Sequence, residues 1–96
     1  MNNERRNRLN KALILLETDL QKARDIIDDV YLDEQCAMDG VPENLQMSYR
    51  YEQMEEAVSN IEEALSLIDS IDEDEDETAK KEQLKEIEEY IENAMF

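Results

Sequence analysis

Histidine is absent from this 96-residue chain, and glycine, proline and cysteine occur once each. Without histidine there is no imidazole to act as a base near neutral pH or to bind a transition metal. One glycine cannot build a glycine-rich phosphate loop. One cysteine, Cys36, can form neither an internal disulfide nor a multi-thiolate metal site, and it favours a reducing, cytoplasmic location. Long apolar runs are missing too. The cluster from Leu13 to Leu16 is far shorter than a signal-peptide core or the roughly 20 residues that cross a bilayer, so neither export nor membrane insertion is expected. Basic residues are scarce: 10 Lys and Arg stand against 27 Asp and Glu, a formal net charge of −17. Such a chain repels nucleic-acid phosphates and anionic lipid, and a basic protein surface suits it better.

What is present is helical periodicity. Leu9, Leu13, Leu16, Leu20, Ala23, Ile27 and Val30 recur at steps of four and three, which places them on one seam of a helix. Met47, Tyr51, Met54, Val58, Ile61, Leu65 and Ile68 repeat the rhythm. Leu9 with Ile68 and Val30 with Met47 share the index sum 77, as two helices folded back about one turn would. At this length the chain is one domain, near the size where a single core only just outweighs chain entropy. The expected fold is all-α: a long antiparallel hairpin plus a short third helix, like a bundle or coiled coil.

Taken in order, helix 1 is expected over about 3–38, capped by Asn2 or Asn3, with Cys36 as a small buried group near its end. Through Arg24 the chain holds six basic and three acidic residues, net +3, so the remainder is −20. The turn spans 39–48. Gly40 suits a left-handed C-cap, Pro42 can open a single helical turn, and Leu45 would drop into the open end of the hairpin. Helix 2 is expected over about 49–71 with Ser48 as N-cap, an exposed acidic linker over 72–77, and helix 3, the least stable element, over about 78–95 with Leu84, Ile87, Ile91 and Ala94 on its seam. Ala12, Ile26, Ala57 and Ala64 form a surplus apolar stripe that a lone hairpin cannot cover. The third helix or a second copy must cover it, and a homodimer is the expected assembly.

The constellations that could carry chemistry have plainer readings. The paired carboxylates Glu55/Glu56, Glu62/Glu63 and Glu88/Glu89 fall on a solvent face, where no pocket separates their pKa values. Asp72, Asp74 and Asp76 match positions 1, 3 and 5 of a calcium loop, but Glu77 and Gln83 stand where the glycine and the closing bidentate Glu are needed. Met38, Met47, Met54 and Met95 read as core, and Tyr31, Tyr49 and Tyr51 as a cap on its edge or an anchor patch for a partner. No catalytic, cofactor-binding or metal-binding residue is assigned, no cofactor is expected, and the chain does not read as an enzyme.

Pro42-Glu43-Asn44-Leu45-Gln46 followed by Ser48-Tyr49-Arg50-Tyr51-Glu52, within a segment from Asp33 to Ala57, resembles a pattern in small uncharacterised acidic helical proteins of bacteriophages and mobile elements. It covers about a quarter of the chain. The resemblance implies an accessory protein in a bacterial host cell, a setting in which acidic proteins occupy nucleic-acid-binding surfaces. The expected role is an inhibitor or nucleic-acid-mimicking decoy that binds a basic host protein, such as a nucleic-acid-binding defence protein. Its partner-binding candidates are Glu55, Glu56, Glu62, Glu63, Asp69, Asp72, Asp74, Asp76, Tyr49 and Tyr51. The competing reading is a structural or adaptor module acting through helix association, its charge serving only solubility.

Overall fold

A computed structural model describes residues 1–71, 74 and 76–95. Among these the chain forms four α-helices and no strand: α1 (Asn3–Leu15), α2 (Leu20–Asp39), α3 (Tyr49–Asp69) and α4 (Glu77–Ala94), with a 3-10 turn at Glu43–Leu45. Each helix packs on the next in sequence, and α1 also touches α4, which closes an up-down-up-down bundle of 49 × 20 × 17 Å. The all-α, bundle-like expectation holds.

Polar side chains start each helix. Asn2 accepts from the Arg5 N–H at 2.9 Å, Asp19 from Lys22 at 3.2 Å, Ser48 from Tyr51 at 3.3 Å and Asp76 from Ala79 at 2.7 Å. Each bond satisfies an amide that the helix itself leaves unpaired. The core lies between the helices and contains Leu9, Ala12, Leu16, Ala23, Ile27 and Val30 from the first half of the chain. The second half contributes Ala57, Val58, Ile61, Ala64, Ile68, Ile87, Ile91 and Ala94.

The main correction concerns helix 1. The expected single helix over 3–38 is two helices, divided at 16–19, where the Thr18 and Asp19 amides both return to the Leu15 carbonyl. Asp19 then leaves helical geometry (φ −149°, ψ 82°) and caps α2. The chain reverses there, so Arg8 of α1 pairs with Asp33 of α2. The register also changes: Arg24 meets Asp69, an index sum of 93, so α2 and α3 form a hairpin offset from the expected one. The short helix is therefore α1, with 13 residues, whereas α4 has 18 and packs closely on α3.

Smaller corrections follow from this register. Met47, expected on the seam, is 91% exposed, and Cys36, expected buried, is exposed. Gly40 is right-handed (φ −79°) rather than left-handed, and Leu45 is half exposed instead of filling the core. The expected acidic linker ends one residue earlier, since Glu77 already belongs to α4. Within the surplus stripe, Ala12, Ala57 and Ala64 are buried inside one chain and Ile26 is half-buried against the core. The stripe thus gives no reason for a second copy.

Candidate interaction surfaces

Two surfaces differ in sign. The first is the outer face of α3, where Glu52, Glu55, Glu56, Glu62 and Glu63 are all exposed. They recur at helical spacing because the opposite face holds Ala57, Val58, Ile61 and Ala64 in the core. Glu55/Glu56 and Glu62/Glu63 lie seven residues apart, roughly 10 Å along the axis. α4 carries an acidic surface of its own, with Glu82, Glu86, Glu88, Glu89 and Glu92 beside Lys85 around a shallow depression of about 430 Å3. The sequence reading weighed Glu88 and Glu89 but did not carry any acid of α4 into its partner-binding set.

The remaining carboxylate candidates separate from this face. Asp69 accepts a bidentate contact from Arg24, Nε to Oδ1 at 2.7 Å and Nη2 to Oδ2 at 3.2 Å. That hydrogen bond and the guanidinium charge hold the Asp69 carboxyl below its ordinary range and raise Arg24. Asp69 is thus a structural partner of α2 rather than a free acid. Asp74 and Asp76 are exposed, with Asp76 capping α4. Asp72 lies outside the described residues.

The second surface is a groove of about 910 Å3 at the end of the bundle where the start of α1, the end of α2 and the start of α3 meet. Arg5, Arg6 and Arg50 line it together with apolar side chains that include Val41, Leu45, Tyr51 and Met54, and no carboxylate is among its lining residues. Cys36 lies in its wall. Tyr51 therefore belongs to this groove and not to the acidic face, and Tyr49 is 74% exposed on the same turn of α3. Beneath it Glu34 is fully buried, with Arg5 Nη1 at 3.2 Å and the Met1 ammonium at 3.6 Å. Neither contact has hydrogen-bond geometry, so charge rather than directed bonding holds the carboxylate.

Sequence reasoning found neither the groove nor the buried Glu34. Arg50 did carry a signal: no other basic residue occurs between Arg24 and Lys80. Among the described residues no group of three or more acidic or cysteine side chains is arranged to hold a metal ion. No described helix is long and apolar enough to cross a membrane. No family model, curated protein or solved structure matches the chain.

Proposed function

We propose that this chain is a small acidic interaction protein, of the phage or mobile-element accessory kind, that acts without catalysis by docking its α3–α4 carboxylate face on a basic surface of a host protein. A nucleic-acid-binding defence protein is the partner class this reading favours, and the bacterial cytoplasm the place. The supporting observation is the ordered row of exposed carboxylates on α3, fixed at helical spacing by the core on its other side. Held in place before binding, such charges steer a basic cleft into contact and lose little freedom on docking. The competing adaptor reading relied on an uncovered apolar stripe, and three of its four residues, Ala12, Ala57 and Ala64, are buried within the chain.

The test is affinity capture from host lysate across a salt series, with the quadruple variant Glu55→Gln, Glu56→Gln, Glu62→Gln, Glu63→Gln beside the wild type. Nucleic-acid-binding proteins should be recovered at low ionic strength, lost steeply as salt rises, and lost with the variant. Recovery that is indifferent to both salt and the four substitutions would reject the carboxylate face.

A further inference from the structure

Residues 40–96 carry four basic and 18 acidic residues, net −14, and residues 1–39 six and nine, net −3. In a molecule so acidic, a groove lined by three arginines and no carboxylate is a local reversal of sign. Arg50 is exposed and makes no ion pair among the described residues. Arg5 points one nitrogen at Glu34, and a guanidinium has five N–H donors, so most of its capacity remains. Apolar side chains share the lining with the cations, Val41, Leu45, Tyr51 and Met54 among them, and Leu45, Met47 and Tyr49, all at least half exposed, extend that character along the adjoining turn.

We infer that this groove binds a short extended peptide segment of a partner protein in which carboxylates alternate with aliphatic or aromatic side chains. Alternation matters because successive side chains of an extended chain point to opposite sides, so acids can meet the arginines while apolar groups enter between Leu45, Tyr51 and Met54. The bundle is 17 to 20 Å across, which admits about six extended residues. A volume of about 910 Å3 is on the scale of a formed ligand site. Nucleic acid is disfavoured, since a long polyanion would also meet the α3–α4 charge.

This inference goes beyond the acidic-face reading and uses none of its carboxylates, so either can fail alone. The probe is an acetylated, amidated hexapeptide alternating Asp with Leu and Phe, titrated by calorimetry at physiological salt, with iodoacetamide labelling of Cys36 read by mass spectrometry. The peptide should bind and slow Cys36 alkylation. Arg50→Glu should weaken binding about tenfold or more, as loss and reversal of one charge-assisted contact implies, and Leu45→Ser by a smaller factor. Glu62→Gln should leave binding intact. Arg50 and Leu45 are both exposed, so these variants should fold, and circular dichroism checks that they do. The inference is overturned if the peptide does not bind, if its Lys-for-Asp counterpart binds as well, or if Arg50→Glu is without effect. It is also overturned, in favour of a second copy as occupant, if the protein alone self-associates through this end and Arg50→Glu abolishes that.

Discussion

The two halves of the chain use carboxylates differently. In the α1–α2 half, Asp33 and Glu34 meet Arg8 and Arg5, and Arg24 reaches across to Asp69. In the α3–α4 half, the carboxylates of the α3 outer face stand in solvent at −14 for the half as a whole. Acids that answer a basic residue tie helices together, whereas acids on the outer face can only repel one another or engage something external. The difference therefore separates groups that hold the fold from groups available to a partner.

Both halves share one core, and the severest test of the comparison is to damage that core from the acidic side. Ile61 is fully buried in α3, so Ile61→Asp places an unpaired charge where nothing can compensate it. A loss above about 4 kcal/mol is expected, enough to unfold a domain of this size. Helical circular dichroism should collapse for the whole chain; retention of about half the signal would mean that the halves fold separately. Leu20→Asp should cost less, because Leu20 opens α2 and is only half-buried.

Next in size is the buried pair of the first half. Arg5→Ala leaves Glu34 fully buried beside the Met1 ammonium alone, and removing one partner of a buried ion pair costs roughly 3 kcal/mol. Urea unfolding measures it. The matching change on the outer face of α3, Glu63→Lys, should stay within about 0.5 kcal/mol, since that carboxylate is exposed. Similar losses at the two sites would erase the distinction drawn between the halves.

How much of this was legible in the sequence depends on where the rhythm of apolar residues carried information. The seam residues Leu9, Leu16, Ala23, Ile27, Val30, Val58, Ile61 and Ile68 are indeed buried. The four-three spacing continues from Leu16 to Leu20, however, so one straight helix and two helices joined by a tight reversal give the same pattern. Only Thr18-Asp19, a polar pair ending in a strong N-cap type, marked the break, and it lacks the glycine or proline that made the turn at Gly40 and Pro42 plain. The acidic face could be read from counting charges on a helix. The arginine groove could not, because three segments remote in sequence assemble it.

A milder change acts at the junction of the two halves. Gly40 was expected to need its freedom for a left-handed cap, yet its backbone is right-handed, and a Cβ there would meet the Cys36 and Ala37 carbonyl oxygens at 3.5 and 3.6 Å, ordinary contact distances. Gly40→Ala should therefore stabilise the fold by about 0.4 to 1 kcal/mol through the unfolded chain. A lower thermal midpoint would show that this turn uses a conformation other than the one described.

The smallest effect belongs to the Arg24–Asp69 pair, which joins the halves at the surface. Its side chains are 32% and 56% exposed, so water and salt screen it, and Arg24→Ala should move stability less than any preceding change. Its signature is pH dependence. The Arg24 hydrogen bond and charge hold the Asp69 carboxyl below its ordinary value, so the pair contributes above the unfolded pKa of about 3.9 and is lost as pH falls through the lower folded value. Acid also neutralises the mutual repulsion of the other carboxylates, which acts in the opposite direction and masks the pair in the wild type alone. The quantity to measure is the difference between wild type and Arg24→Ala in urea midpoint, at pH 7 and then at steps well below the ordinary carboxylate value of about 4, so that the lower folded value is passed. That difference should be small at pH 7 and vanish in acid, whereas a difference that grows in acid would mean that Asp69 is not what Arg24 serves.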